Sequence, residues 1–219
     1  MKKLTKLASL LLVLATVIGL ASAMSTTASA SPITEIIESL NKKNVNVSSM
    51  QSLLLQLQAQ AFNPKAITKC YLLNDANAVN SQGHNAILLV DRNGLGVYYS
   101  FAAGRGWLSA KDNMTRRVLS KSKVDELLTY GWVDGYSGKY TRSLVQWAPS
   151  YTAGEAMYNK GEAYNNNPPG YDLAFFNCSH LANQIMKAGG LTYHTGSVPN
   201  RAFNLLEAYL GSSNVKVTR

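Results

Sequence analysis

The stretch GHNAILLVDRNGLGVYYSF, residues 83–101, decides the fold of this chain. Its two apolar runs flank Asn93-Gly94, a dipeptide typical of the tight turn between two antiparallel strands. The stretch therefore predicts a β-hairpin that begins at His84. Side chains alternate between the two faces of a strand, so the His84 side chain shares a face with three small or apolar neighbours. These neighbours are Ala86, Leu88 and Val90.

The segments around the hairpin predict a mixture of strands and helices. The pattern predicts a strand at CYLLN (70–74), a helix at KVDELLTYG (123–131), a strand at YTRSLVQW (140–147) and a loop at NNNPPG (165–170). A further helix is predicted from Thr152, because Thr152 and Glu155 form a capping-box pattern. Helices followed by an antiparallel sheet and then by more helices predict an α+β fold.

The chain opens with the features of a secretory signal peptide. Three lysines precede an apolar run over residues 7–20, and small residues follow. We predict a signal peptide over residues 1–30, cleaved after Ala23 or Ala30, and hence a secreted, extracellular protein of bacterial type. An uncleaved apolar run that anchors the chain in a membrane is the alternative.

Residues 31–64 are predicted to form a helical N-terminal segment. ITEIIESLNKK (33–43) and SSMQSLLLQLQAQAF (48–62) each have an apolar helical face, and Asn63-Pro64 ends the second helix. These faces are buried either permanently against the sheet or as a removable cover over the site. The remaining residues, 65–219, are predicted to form the functional domain.

The mature chain is basic. Removal of the signal peptide takes away three lysines and no acidic residue, which lowers the formal net charge from +9 to +6. Six cations lie between Arg105 and Lys123, and they either attract an anionic surface, such as lipid headgroups or a wall polymer, or form a solvated face. No nucleic-acid-binding motif is present in the sequence. We expect a monomer with no nucleic-acid partner.

The stretch FNCSHLANQIMKAGG, residues 176–190, places a cysteine at the start of a predicted helix. Asn177 is a favoured N-cap residue and Gly189-Gly190 is a typical stop, so Cys178 is the first helical residue. Unpaired N–H groups and the helix dipole stabilise a thiolate at this position. We therefore expect the pKa of Cys178 to be lowered towards neutrality, and the same N–H groups can hold an oxyanion.

Three histidines compete as the base for Cys178. His180 lies two positions further on, about 200° around the helix, so it is expected at the cap or the surface. His194 belongs to a predicted loop, whereas His84 lies on a central strand. A histidine on a sheet that faces a helix beginning with cysteine is the arrangement of papain-like enzymes. We therefore predict Cys178 and His84 as the catalytic residues.

The second cysteine, Cys70, leaves two interpretations open. A disulfide between Cys70 and Cys178 would stabilise an exported protein by about 4 to 5 kcal/mol in the loop-entropy model. Alternatively, Cys70 is a buried residue of its strand. No His or Cys pair has the spacing of a zinc site, so we expect no metal and no cofactor.

Three segments of the chain together resemble a known family. GHNAILLVDRNGLGVYYSF, followed by YDLAFFNCSHLANQIMKAGG and VPNRAFNLL, is similar to the circularly permuted NlpC-like branch of the papain superfamily. This branch includes the lecithin retinol acyltransferase group and papain-like domains of bacterial secreted toxins. The resemblance covers residues 69–207. It implies a papain-like sheet packed on the cysteine helix, and thiol chemistry on an amide or ester through an acyl-enzyme.

In the family that this chain resembles, a third polar residue orients the histidine from the next strand. That strand is GVYYSF here, and it offers Tyr99 or Ser100, depending on the length of the turn. The function predicted from these features is a secreted cysteine peptidase or amidase, directed at peptidoglycan or protein. The alternatives are a lipid acyltransferase, a toxin domain and a non-catalytic binding protein on the same scaffold.

Overall fold

The structure is a computed structural model, and it describes residues 62–102, 114–134, 136–172 and 175–217. The described residues from Phe62 onwards belong to one compact unit. The predicted signal peptide and both predicted N-terminal helices fall on residues 1–62, and all but Phe62 lie outside the described residues. Among the described helices, none has the length and apolar character needed to cross a bilayer.

The described strands form one six-stranded antiparallel sheet, which confirms the α+β class. The strand order is β4-β3-β2-β1-β5-β6. The strands are β1 Ile67–Asp75, β2 His84–Asp91, β3 Gly96–Phe101, β4 Met114–Leu119, β5 Arg142–Trp147 and β6 Val215–Val217. The predicted hairpin forms β2 and β3, and β2 lies near the middle of the sheet.

The turn between β2 and β3 has three residues, 92–94. Asp91 N donates to the Leu95 carbonyl at 2.9 Å, and the Asp91 carboxylate accepts from the N–H of Asn93 at 2.8 Å. Gly94 has a φ of +83°, which glycine adopts without strain. The three-residue turn pairs Ala86 with Ser100, so Ser100, and not Tyr99, shares a face with His84.

Four α-helices of eight or more residues lie in the described part of the chain. They are α1 Lys121–Tyr130, α2 Tyr151–Asn166, α3 Cys178–Ala188 and α4 Pro199–Leu210. The predicted capping box of Thr152 and Glu155 is wrong, because Ser150 is the N-cap and its hydroxyl accepts from Ala153 N at 3.1 Å. The predicted loop at 165–170 begins later, since α2 continues to Asn166.

The two faces of the sheet carry separate apolar cores. Helices α2, α3 and α4 cover one face, where the buried side chains include Ile87, Leu89, Tyr99, Leu181, Ile185 and Phe203. Helix α1 covers the other face, where they include Tyr71, Ala86, Leu88, Tyr98, Val124, Leu127 and Tyr140. His84 lies on the second face by alternation with Ala86 and Leu88.

Much of the described basic segment is paired with acids. Arg116 contacts Glu162 at 2.6 Å, and Lys121 contacts Asp125 at 2.6 Å. Lys123 similarly contacts Glu126 at 2.7 Å. The predicted cations Arg105 and Lys111 lie outside the described residues. Because three of the cations have acidic partners, the described part of this segment has less free positive charge than the sequence suggests.

Candidate active site

Helix α3 begins at Cys178, as predicted. The Asn177 side-chain oxygen accepts from the N–H groups of Ser179 at 2.9 Å and His180 at 3.4 Å. His180 Nδ1 in turn accepts from Asn177 N at 3.3 Å, which completes a capping box. His180 therefore caps the helix, in line with its expected place at the cap or surface.

The Cys178 thiol is buried, and its surroundings differ from the expectation. Burial raises the pKa of Cys178 to about 11, while N–H groups of Asn85, Ser179 and Cys178 itself lower it by less. The predicted lowering towards neutrality is therefore wrong for this state, because the loss of hydration outweighs the helix terminus. One of the three N–H groups belongs to the sheet, since Asn85 directly follows His84 in β2.

A buried chain of amides ties the start of α3 to β2. Asn85 Nδ2 donates to Ser179 Oγ at 3.0 Å and to the Pro199 carbonyl at 3.3 Å. Asn85 Oδ1 accepts from Asn74 Nδ2 at 2.8 Å, and Arg142 Nε donates to Asn74 Oδ1 at 2.8 Å. Because Cys178 directly precedes Ser179, these bonds hold it beside Asn85, the residue that follows His84.

The His84 ring is held between polar and aromatic groups. Its Nε2 lies 2.8 Å from Ser100 Oγ, and this is the only hydrogen bond of the His84 side chain among the described residues. Tyr136 stacks on the ring with centroids 5.1 Å apart, and Tyr140 lies at 6.2 Å. Burial lowers the pKa of His84 to about 4, and the charge of Asp75 opposes that shift.

His84 and the body of α3 lie on opposite faces of the sheet. The prediction that His84 faces the cysteine helix is therefore wrong for most of that helix, whose apolar residues pack on the face of Ile87 and Leu89. The start of α3 is tied to the beginning of β2 through Asn85, whose side chain donates to Ser179 Oγ at 3.0 Å. There the Asn85 N–H is directed at the thiol, and His84 is the adjacent residue in the chain.

The charge of Cys178 also affects the pKa values of two tyrosines around His84. Burial raises the pKa of Tyr98 to about 12, and the charge of a Cys178 thiolate adds to that shift. Burial likewise raises the pKa of Tyr136, and again the Cys178 charge contributes. Tyr136 also stacks on the His84 ring.

Ser100 is the third polar residue of the arrangement. Its hydroxyl lies beside the hydroxyls of Tyr98 and Tyr140, which are 2.6 Å from each other. The other predicted candidate, Tyr99, is on the opposite face and donates to Glu162 Oε1 at 2.6 Å. The register of the hairpin thus decides between the two alternatives in favour of Ser100.

The remaining predicted residues lie elsewhere. Cys70 and Cys178 are both free and buried, so no disulfide joins them in this structure. Cys70 belongs to the core under α3, and His194 Nδ1 accepts from Gly196 N at 3.1 Å in a loop. Within residues 62–102, 114–134, 136–172 and 175–217, no three His, Cys, Asp or Glu side chains converge as a metal site would need.

Two neighbours of His84 are not among the residues that the sequence pattern predicts. Asp75 is paired directly with His84 across β1 and β2, and Tyr136 comes from the segment between α1 and β5. Asp75 ends the apolar run that contains CYLLN, so a predicted pairing of this run with HNAILLV would have found it. Nothing local in the sequence indicates the stacking of Tyr136.

Comparison of the chain with protein-family models, curated proteins and solved structures gives no match.

Proposed function

We propose that this protein is a secreted cysteine hydrolase of the permuted papain-like type, with Cys178 as nucleophile and His84 as general base. The observation that carries the proposal is the position of the Cys178 thiol. Cys178 is the first residue of α3, and its sulfur faces N–H groups from the helix start and from Asn85, next to His84. These groups stabilise negative charge on sulfur during reaction.

The proposed reaction uses each of these groups. The proton of Cys178 Sγ passes to His84 Nδ1, since Nε2 is already bonded to Ser100. The thiolate attacks the carbonyl carbon of an amide or ester, and N–H groups at the start of α3 favour the oxyanion. The imidazolium then gives its proton to the leaving group, and water hydrolyses the thioester.

Burial of the Cys178 thiol and the His84 imidazole determines their protonation states in the resting protein. At neutral pH the thiol and the imidazole are both neutral, because burial raises the pKa of Cys178 to about 11 and lowers that of His84 to about 4. Proton transfer therefore requires an open state of the site in which His84 approaches the thiol, and both substrate and a small alkylating reagent react with this state. Catalytic hydrogen bonds that are absent from an apo structure commonly form in this way.

The preferred substrates are amides of peptidoglycan or protein, because the predicted signal peptide directs the chain to the cell exterior. A lipid ester or amide is the second class, and it fits the aromatic groups near the thiol. Burial raises the pKa of Tyr171 to about 12, and the charge of Cys178 contributes to this shift as well. The charge of Cys178 thus acts on three tyrosines, Tyr98, Tyr136 and Tyr171.

One observation favours a second function, a non-catalytic binding protein on the same scaffold. The exposed fraction is 3% for Cys178 and 4% for His84, so neither side chain is open to a large substrate in this state. A binding protein needs no reactive thiol, whereas a hydrolase does. Reactivity of the thiol therefore separates the two functions.

The test is the labelling of the folded mature chain with iodoacetamide at pH 6.5, read residue by residue by mass spectrometry. If the proposal is right, Cys178 reacts faster than Cys70, whose pKa burial raises to about 12. His84→Ala should slow the labelling of Cys178 and leave that of Cys70 unchanged. Equal and slow labelling of both cysteines would favour the binding protein.

Turnover is then measured on peptidoglycan, a generic protein and a phospholipid in parallel. Cys178→Ala should abolish activity on the true substrate. Cys70→Ala is the matched control, because it removes the other buried thiol from the core under α3 and leaves the site intact. Activity that survives in Cys178→Ala would overturn the proposal.

A further inference from the structure

Asp75 is the acidic residue nearest to His84 in the pairing of the sheet. It ends β1 and lies directly opposite His84 at the start of β2, so both side chains are on the same face. The Cβ atoms of such antiparallel partners are about 4.5 to 5.5 Å apart. The exposed fraction of Asp75 is 5%, so its carboxylate is buried beside the imidazole.

The Asp75 carboxylate holds the segment that covers His84. Its Oδ2 accepts from Tyr136 Oη at 2.8 Å and from Lys139 N at 3.2 Å. Its Oδ1 accepts from Asn77 N at 3.0 Å. None of the salt bridges among the described residues includes Asp75. The carboxylate therefore acts through hydrogen bonds, one of which positions the Tyr136 ring on His84.

The groups that face His84 differ in charge. Ser100 and Tyr98 face it from β3, and Tyr136 and Tyr140 face it from the segment before β5. Cys178, at the start of α3, interacts with the N–H group of Asn85, the next residue of β2. All of these are neutral at pH 7 while the thiol is protonated, and Asp75 is the carboxylate of the set. Its charge raises the pKa of His84, against the larger lowering by burial.

We infer that Asp75 is a positioning residue of this site: it holds Tyr136 on the His84 ring and stabilises the imidazolium that forms when His84 takes the proton of Cys178. The inference rests on the proposed function for the origin of that proton. The contact between Asp75 and Tyr136, and the charge effect on His84, do not depend on it. Asp75 therefore acts on His84 through its charge and through Tyr136, whereas Ser100 makes the direct hydrogen bond to the ring.

The first test is the titration of the His84 ring by NMR in a Cys178→Ala background, with and without Asp75→Asn. The pKa of His84 should fall in Asp75→Asn, because the carboxylate charge that favours the imidazolium is gone. Asp75→Glu, which keeps the charge, should restore part of the shift. Tyr136→Phe keeps the ring and removes the bond to Asp75, so it should change the titration less than Asp75→Asn.

The second test is the pH profile of Cys178 alkylation in the single variants. Asp75→Asn should slow alkylation at pH 7 on the order of tenfold, the effect of roughly one pKa unit on His84. Asp91→Asn is the matched control: Asp91 is also buried and accepts backbone N–H groups, but it lies at the other end of β2. It should leave both the titration and the alkylation rate unchanged.

Thermal unfolding shows whether each variant is folded before it is compared. A folded Asp75→Asn protein with an unchanged His84 titration would overturn the inference, whatever its activity. A wild-type Cys178 that reacts no faster than Cys70 would instead overturn the proposed function, and the titration would still report on Asp75. The two failures are therefore distinguishable.

Discussion

His84 Nε2 lies 2.8 Å from Ser100 Oγ, and the two residues are brought together by the three-residue turn of the β2–β3 hairpin. This contact assigns the ring nitrogens different roles. When Nε2 donates to the serine hydroxyl, Nδ1 has a free lone pair and can accept a proton. The Ser100 hydroxyl in turn lies beside the hydroxyls of Tyr98 and Tyr140.

Loss of the Ser100 hydroxyl should make His84 a less effective general base. Ser100→Ala removes the bond that fixes the tautomer and orientation of His84, and we expect about tenfold slower turnover or alkylation of Cys178. Ser143→Ala is the matched control, because Ser143 is buried in the same row of the sheet and its Oγ has no hydrogen-bond partner among the described residues. Equal rates in both variants would contradict the role of Ser100.

The protein should lose stability in acid because of His84. Its pKa is lowered from 6.5 to about 4, so the unfolded chain takes up a proton first as the pH falls. Stability is therefore highest above pH 6.5, falls as the pH drops from 6.5 to about 4, and falls no further through His84 below that pH. The full loss is on the order of 3 kcal/mol.

The measurement is urea unfolding of wild type and His84→Gln at several pH values between 7 and 3.5. The glutamine variant has no group that titrates at this position, so its free energy of unfolding should fall less over this range. Parallel curves for the two proteins would show that His84 is not the group responsible.

A glycine in α2 should resist replacement by alanine. A Cβ at Gly161 would lie 2.5 Å from Cζ of the buried Tyr99 ring, so Gly161→Ala forces the ring or the helix to move. We expect a net loss of about 1 to 3 kcal/mol, although alanine favours a helix by about 1 kcal/mol. Thermal unfolding measures the change.

Gly170→Ala is the control for this prediction. Apart from its two chain neighbours, no described residue has a heavy atom within 4 Å of a Cβ at Gly170, so the melting temperature should remain close to that of wild type. A Gly161→Ala protein that is as stable as wild type would show that α2 can move away from Tyr99 at little cost.

The sequence by itself determined the elements whose signals are local. The alternation of HNAILLV and the Asn93-Gly94 turn predict the hairpin, and Asn177 with Gly189 predicts the bounds of α3. Both predictions are confirmed in the structure. Strand alternation, turn geometry and helix capping involve residues a few positions apart, so they can be deduced from a single sequence.

Only the tertiary structure decided the chemistry around these elements. A turn of three residues, and not two, places Ser100 instead of Tyr99 on the face of His84. The pairing of β1 with β2 places Asp75 opposite His84. Burial by distant segments then raises the pKa of Cys178 instead of lowering it. Register, cross-strand neighbours and loss of hydration depend on groups far apart in the chain, and no local pattern records them.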